Sequence, residues 1–381
     1  MLHGSFKMEH RNLRVLLIRF SASIVCFALS IAVLEVCARA FYNRLTTAGG
    51  RKFVELLLGE VQLDDVLRIQ RHPYMLYINR PGWEDDGIRQ HNSYGHRGPE
   101  ITPLPQPGTK RILALGGSTT YGYLLKRFQS SWPAQLGPIL SERLDFHVEV
   151  INAGLPFGLS SELLSHYLYR DRHLGASIVI IHEGGNDSVP LLLEEYSPDY
   201  GFFRGWTTPP FGRRAGEGYL LRLRLMRIIY GWWLVRSDMG IDSFIAQPHS
   251  VEQLPLAKAI ENVTKNEPVG FERNIDALIK MVLADKATPV LFPFYLAEPE
   301  VFRTVEPGFD AGKRLYDAVA IGWKKNVDVM ERLARRHNVP FIRIPPETIP
   351  LKYFFDHCHL RKEGETIKAN FVADKIEGLV H

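Results

Sequence analysis

The chain has 381 residues, of which 45% are hydrophobic and 23% are charged, a composition that excludes a disordered protein and allows one large folded domain with an appendage. Its 46 Lys and Arg residues against 42 Asp and Glu give a net charge of only +4. This argues against a nucleic-acid partner, because phosphate binding needs clustered basic charge. The three cysteines show no CxxC spacing, which argues against a disulfide framework or a cysteine-rich zinc site.

An apolar segment, FSASIVCFALSIAVLEVCA at residues 20–38, follows a short basic tail at residues 1–19. About 20 such residues cross a bilayer as a helix, so the segment predicts a transmembrane anchor. Two alternatives stay open: a cleaved signal peptide that uses ARA at 38–40 as its cleavage site, and a buried core helix. Basic residues are balanced around the segment, and the short basic leader favours an extracytoplasmic position for the rest of the chain.

Residues 39–108 are rich in Gly and Pro and read as a linker and a loop-rich lead-in. From residue 109 to the C-terminus, short apolar runs alternate with helical patterns. The predicted strands are RILAL (111–115), HVEVIN (147–152), SIVIIH (177–182), PVLFPF (289–294) and PFIRI (340–344), and the predicted helices are 132–144, 160–174, 271–284, 312–336 and 362–380. Such alternation predicts an α/β domain with a parallel sheet covered on both faces.

One stretch, at about residues 190–256, breaks this alternation. It shows no clear strand but contains YLLRLRLMRIIYGWWLVR at 219–236, which mixes arginines with tryptophans. We interpret it as a helical insertion packed on the domain with its arginines in solvent. A basic aromatic helix that lies on a membrane surface is the alternative.

Polar residues follow the predicted strands at the edge where ligands bind in parallel sheets. Ser118 comes just after the first strand, Gly154 after the second and Asn186 after the third. Asp356 and His359 follow the fifth strand and precede the last helix. These five residues are therefore expected on one side of the sheet.

This set of residues suits nucleophilic catalysis. A serine hydroxyl becomes a nucleophile when a base removes its proton, and a histidine oriented by a carboxylate is the usual base. Asp356 precedes His359 by three positions, so one turn can hold the two side chains together. The backbone N–H groups of Ser118 and Gly154 and the amide of Asn186 are candidate donors to an oxyanion, and glycine at 154 permits close approach.

Four short motifs in this order resemble the four blocks of the SGNH (GDSL) hydrolases: GGSTTYG, NAG, GGND and DHCHL. The resemblance implies a flavodoxin-like three-layer α/β/α fold with a five-stranded parallel sheet. It also implies Ser118 as nucleophile, Asp356 and His359 as its partners, and Ser118, Gly154 and Asn186 as the oxyanion hole. NSYGHRGPE resembles the lead-in of bacterial, membrane-attached members. The sequence departs from the family pattern at two points. Gly117 stands where the family commonly has Asp, and the glycine block is one residue longer than usual, so Gly158 is a rival to Gly154 as the glycine of that block.

Each candidate also has a structural interpretation. Ser118 could cap the following helix, and Asn186 could be an ordinary turn residue. His357 and His359 with Asp356 could ligate a metal, but no second ligand cluster of matching spacing accompanies them, so we predict neither metal nor cofactor. Cys358, between the histidines, is interpreted as an incidental free thiol.

The sequence therefore predicts a membrane-anchored serine esterase that hydrolyses an acyl ester, with O-acetyl as the favoured acyl group, on a carbohydrate or lipid. One alternative is an O-acyltransferase that acts on an envelope or secreted polysaccharide, because an acyl-enzyme can pass its acyl group to water or to a sugar hydroxyl. An alternative of another class is a non-catalytic carbohydrate-binding or scaffolding protein. The joint presence of nucleophile, base and oxyanion donors favours an enzyme.

Overall fold

The structure is a computed structural model that describes residues 3–45, 68–72, 74–85, 87–201, 203–205, 222–236, 247–248, 251, 254–297 and 315–380. The chain divides into two compact units. The smaller comprises Met1–Leu67 and Thr207–Phe244, and the larger comprises Arg68–Trp206 and Ile245–His381. The lead-in from residue 68 onward thus belongs to the larger unit, together with the predicted hydrolase domain.

The elements in chain order are as follows. The strands are β1 (Ile69–His72), β2 (Leu76–Asn79), β3 (Glu84–Asp85), β4 (Ile88–Arg89), β5 (Lys110–Gly116), β6 (Val148–Gly154), β7 (Ile178–Glu183), β8 (Arg204–Gly205), β9 (Gln247–Pro248) and β10 (Thr288–Pro293). The α-helices are α1 (His3–Leu45), α2 (Ser118–Tyr121), α3 (Trp132–Leu144), α4 (Ser160–His166), α5 (Arg224–Arg236), α6 (Leu256–Lys265), α7 (Val269–Ala284), α8 (Tyr316–His337) and α9 (Lys362–Ile376). The predicted start of α8 at residue 312 lies outside the described residues.

A parallel sheet with the order β10-β7-β5-β6 is the centre of the larger unit. Successive strand residues point to opposite faces, so Ile112 and Ala114 join the apolar core under α3 and α9, whereas Leu113 and Leu115 join the core under α4, α7 and α8. Helices cover both faces and bury the apolar residues that the strands present on each side. The predicted three-layer α/β/α fold is confirmed, with the strand order of flavodoxin-like sheets.

The prediction of five strands is wrong by one, since the central sheet has four strands among the described residues. Residues 340–344 run beside β10, where Leu291 N–H donates to Pro340 O at 2.9 Å and Ile342 N–H donates to Leu291 O at 2.8 Å. Only alternate residues of β10 face this segment, and the neighbours of Leu291 in that row are Pro289 and Pro293. Proline has no N–H to donate, so the ladder stops after one bridge.

The smaller unit contains α1 and α5. Within α1, Leu17–Tyr42 is long enough and apolar enough to cross a membrane, and among the described helices no other passes this test. A signal sequence near an N-terminus would pass it as well. One face of α1 is covered at Ala38 and Tyr42, while most of the other described side chains of the span are exposed.

The helix α5 packs on α1 within the smaller unit, and the interpretation of residues 190–256 as an insertion stays a prediction. The carboxylate of Glu35 accepts the N–H groups of Arg224 and Leu225 at 2.9 and 3.0 Å, and the indole N–H of Trp232 donates to Leu45 O at 3.1 Å. A carboxylate in an apolar helix needs such donors, and the free N–H groups at the start of another helix supply them.

Candidate active site

Ser118 stands at the junction between the first central strand and a short helix. β5 ends at Gly116, and α2 begins at Ser118 and ends after one turn at Gly122, whose φ is +78°. A Cβ added to Gly117 would lie 2.8 Å from Nδ2 of Asn186. Glycine before the serine therefore lets the Asn186 amide approach the start of α2.

The loop before α9 brings His359 and Asp356 to Ser118. Nε2 of His359 lies 2.9 Å from Oγ of Ser118, and Nδ1 lies 2.7 Å from Oδ2 of Asp356. Oδ1 of Asp356 accepts the N–H groups of Cys358 and His359 at 2.9 and 2.8 Å. Because the carboxylate faces Nδ1, the neutral imidazole carries its proton there and presents Nε2 as an acceptor to the serine hydroxyl.

The electrostatics of this loop favour an ionised Asp356. Its burial acts to raise the pKa, but the hydrogen bond from His359 and the electrostatic interactions with His359 and His357 outweigh burial and hold the pKa of Asp356 below its usual range. Burial, reinforced by Asp356, raises the pKa of the Cys358 thiol well above its ordinary value. Cys358 is therefore a poor nucleophile, because the thiolate is the reactive form.

Ligand atoms of Asp356, His357 and Cys358 lie within 4.8 Å of one another, a grouping that could hold a metal ion if the atoms were available. Both oxygens of Asp356 already accept hydrogen bonds from its own loop, and the thiol is held in its protonated form. A metal would need these groups free and deprotonated. The donor set fits an orienting carboxylate better than a metal centre.

Asn186 comes to the same place from the end of β7. Gly184 turns the chain with φ +109°, and Nδ2 of Asn186 donates to Gly158 O at 2.7 Å. The buried carboxylate of Asp187 fixes this loop by accepting Ser160 N–H at 2.9 Å and Ser160 Oγ–H at 2.6 Å. The amide of Asn186 has two N–H groups, so one remains for a ligand beside Ser118.

Gly154 is the predicted site residue that the structure does not bring into this group. Its N–H donates to Oδ1 of Asn152 at 3.0 Å, and a Cβ at Gly154 would lie 2.2 Å from the backbone N of Tyr121 in α2. Gly158, the rival in the same motif, is the glycine that contacts Asn186. Gly154 thus provides the close packing of β6 on the helix that carries Ser118.

His182 belongs to the polar cluster HEGGNDS but not to the site. It is fully buried at the end of β7, where Nδ1 bonds to Phe292 O at 3.0 Å and Nε2 accepts a hydrogen bond from Nζ of Lys368 at 2.7 Å. Burial, followed by the charge of Lys368, lowers the pKa of His182 well below its ordinary value. This histidine is therefore neutral and serves the packing of α9 on the sheet.

Two residues of the lead-in contact α2 and were assigned no role from sequence. The guanidinium of Arg97, which is buried, donates from Nη1 to Tyr121 O at 2.8 Å and to Gly122 O, and from Nη2 to Leu125 O at 2.6 Å. Nε2 of His91 lies 2.7 Å from the hydroxyl of Tyr121. The motif NSYGHRGPE at residues 92–100 contains Arg97 and was the available signal for it, whereas His91 immediately precedes the motif.

A family model described as the GDSL-like Lipase/Acylhydrolase family matches residues 114–367. Similar solved structures include a lipase/acylhydrolase from Enterococcus faecalis, with 16% identity, a TM-score of 0.41, and coverage of 71% of this chain and 97% of the other. The native aryl esterase of M. smegmatis has 15% identity and a TM-score of 0.42, covering 71% of this chain and 99% of the other.

A variant of an acetyl-xylooligosaccharide esterase from Geobacillus Stearmophilus has 12% identity and a TM-score of 0.37, with coverage of 70% of this chain and 94% of the other. No curated protein matches the chain. At these identities and TM-scores the structural matches support no conclusion about substrate. The sequence match over residues 114–367 carries the family assignment.

Proposed function

Given that the chain belongs to the GDSL-like lipase/acylhydrolase family and is an ester-hydrolysing enzyme, we propose that it is a serine esterase that acts through an acyl-enzyme on Ser118. The observation that carries the proposal is the continuous hydrogen-bond chain from Ser118 Oγ through His359 to Asp356, with distances of 2.9 and 2.7 Å. A serine that only capped a helix, or a residue in an ordinary turn, would not require this series of hydrogen bonds.

The reaction begins when Oγ of Ser118 attacks the acyl carbonyl carbon while Nε2 of His359 takes the hydroxyl proton. The ester C–O bond then breaks, His359 returns that proton to the leaving alcohol oxygen, and the acyl group stays on Ser118. Water attacks in the second half, giving one proton to His359, and the carboxylic acid leaves as Oγ regains a proton. Asp356 stays ionised throughout and stabilises the imidazolium.

The oxyanion of each tetrahedral intermediate is proposed to lie between the backbone N–H of Ser118 and the Asn186 amide. Ser118 is the first residue of α2, and the first N–H groups of a helix have no intrahelical acceptor. Asn186 contributes the N–H that it does not donate to Gly158 O. We leave Gly154 out of this set because its N–H is donated to Asn152.

The decisive test uses the full-length protein in detergent with a short acyl ester such as p-nitrophenyl acetate. Ser118→Ala and His359→Ala should each lower kcat by about 10³-fold or more, and a fluorophosphonate should label wild type and Cys358→Ala but not Ser118→Ala. Equal labelling of Ser118→Ala would overturn the proposal. Activity should persist in the presence of a chelator.

The finer parts of the proposal concern acyl group, acceptor and location. We propose an O-acetyl ester on a carbohydrate or lipid as the substrate, with α1 as a membrane anchor and the larger unit on the extracytoplasmic side. Adding a sugar acceptor to the acetyl ester assay separates the two possible fates of the acyl-enzyme. Release of acetate to water supports the esterase, and formation of an acetylated sugar supports the acyltransferase. The absence of both products would support a non-catalytic binding protein.

A further inference from the structure

An exposed aromatic ring borders the site, carried by a strained backbone position. Phe157 lies in the turn after β6, its side chain is 43% exposed, and its φ is +61°, a left-handed conformation that is unfavourable for a residue with a Cβ. The turn is fixed by the hydrogen bond from Gly158 N–H to Leu155 O at 2.9 Å and by the Asn186 amide on Gly158 O. Strained positions of this kind concentrate at functional sites.

Tyr123 connects this ring to the imidazole. The ring centroids of Tyr123 and Phe157 are 5.5 Å apart and meet edge to face, and those of Tyr123 and His359 are 6.0 Å apart. The guanidinium of Arg68 lies 4.3 Å from the centroid of Tyr123. Tyr123 and Phe157 therefore form one aromatic wall that runs from His359 to solvent.

The reaction decides which part of the substrate meets this aromatic wall. His359 must return its proton to the leaving alcohol oxygen, so the alcohol part of the ester leaves beside the imidazole. Tyr123 packs against that imidazole. The aromatic wall therefore flanks the alcohol part rather than the acyl part, an assignment that rests on the proposed function.

We infer that Tyr123 and Phe157 form a subsite for a sugar ring in the alcohol part of the substrate. The Phe157 ring presents part of its flat apolar surface to solvent, whereas an alkyl chain gains most when apolar groups bury it on several sides. A sugar ring has one face lined by C–H groups that packs on such a surface while its hydroxyls stay hydrated. Tyr123, held between Arg68 and His359, keeps Phe157 at a fixed distance from the nucleophile.

The test compares two acetyl esters, an O-acetylated methyl glycoside and ethyl acetate, in wild type, Phe157→Gly and Phe157→Trp. Glycine adopts φ +61° without strain, so Phe157→Gly removes the ring while relieving the backbone. The ratio of kcat/KM for the glycoside over that for ethyl acetate should fall at least tenfold in Phe157→Gly, mainly through KM, and be retained in Phe157→Trp. Leu283→Ala, also at a 43% exposed apolar residue but near the opposite edge of the sheet, should keep the wild-type ratio.

An unchanged ratio in Phe157→Gly would overturn the sugar subsite while leaving the esterase intact. Direct binding gives a second readout that does not depend on turnover. By calorimetry, the acetylated glycoside should bind Ser118→Ala at least tenfold more tightly than Ser118→Ala combined with Phe157→Gly. Equal binding by these two proteins would contradict the inference. If wild type hydrolysed neither ester, that result would contradict only the proposed function.

Discussion

Nη1 of Arg97 donates a hydrogen bond to the carbonyl of Tyr121 at 2.8 Å, at the last residue of the helix that begins with Ser118. The same guanidinium reaches Leu125 O, and its centre lies 4.4 Å from the Tyr121 ring centroid. A cation at the carbonyl end of a helix is favourable, and here it also satisfies buried carbonyl groups. The lead-in thereby fixes the position of the helix that begins with Ser118.

Replacing Arg97 should therefore impair catalysis more than substrate binding. We expect Arg97→Met to lower kcat by about tenfold or more. Each buried carbonyl group that loses its hydrogen-bond donor costs about 1 to 3 kcal/mol, and α2 would shift to reduce that cost. Arg97→Lys should keep part of the activity. Steady-state kinetics with p-nitrophenyl acetate check this, with the surface variant Arg143→Met as control, and an unchanged kcat in Arg97→Met would refute the positioning role.

Gly154 is expected to matter for packing rather than for the oxyanion. Gly154→Ala places a Cβ 2.2 Å from the backbone N of Tyr121, which should cost about 3 kcal/mol of unfolding free energy. At Gly158 the nearest atom would be 3.0 Å away, so Gly158→Ala should cost less. Thermal unfolding of both variants beside wild type measures the difference, and a fully stable Gly154→Ala would show that the contact is not rigid.

Asp356 should act through the tautomer of His359. Asp356→Asn removes the acceptor that keeps the imidazole proton on Nδ1, so kcat should fall by about 10³- to 10⁴-fold with the fold retained. In wild type the pKa of Asp356 lies below its usual range, so its ionisation should not limit activity between pH 5 and 9, a range that stays above the usual carboxyl pKa. A pH–rate profile and the circular dichroism spectrum of the variant test both statements, and wild-type-like turnover by Asp356→Asn would exclude this role.

Buried histidines should make the larger unit less stable in acid. Burial is the main cause that lowers the pKa of His91 to about 3, whereas an unfolded histidine has a pKa of about 6.5. Between these values the unfolded chain binds a proton that the folded chain does not, so the unfolding free energy falls as the pH falls, by about 2 kcal/mol from pH 7 to pH 5.

His91→Gln removes this titration, so its loss of unfolding free energy between pH 7 and pH 5 should be smaller than that of wild type by about the same 2 kcal/mol. Denaturant unfolding of both proteins at the two pH values checks it. Parallel losses in the two proteins would mean that His91 is protonated in the folded state.

Glu35 should hold α5 on α1. Glu35→Ala removes the acceptor of the Arg224 and Leu225 N–H groups and the ion pair with Arg39 at 2.8 Å, and loss of a helix cap costs about 1 kcal/mol. Trypsin should then cleave after Arg224 and Arg227 faster than in wild type, and Glu35→Gln, which keeps one acceptor oxygen, should be intermediate. Arg44→Ala is the control, and identical cleavage rates would argue against the cap.

The sequence by itself determined the layered α/β fold, because apolar runs such as residues 178–181 must be buried on both faces. It also indicated the order of the motifs that carry Ser118, Asn186, Asp356 and His359, because the carboxyl ends of parallel strands share one edge of the sheet. The prolines at 289 and 293 are also evident in the sequence. Whether they interrupt a ladder with residues 340–344 depends on which side of β10 that segment lies. That pairing is set by the packed sheet.

Only the tertiary structure shows that Gly154 N–H is donated to Asn152 and that Gly158 O accepts the Asn186 amide, because the direction of a backbone group depends on the neighbours that bond to it. The same holds for Arg97, whose acceptors lie about 25 residues away along the chain, and for Glu35 and Arg224, which are 189 positions apart. Motif spacing carries no distance information across such separations. Which polar groups meet is fixed by the packing of the sheet, its helices and the lead-in, and that packing emerges only when the chain folds.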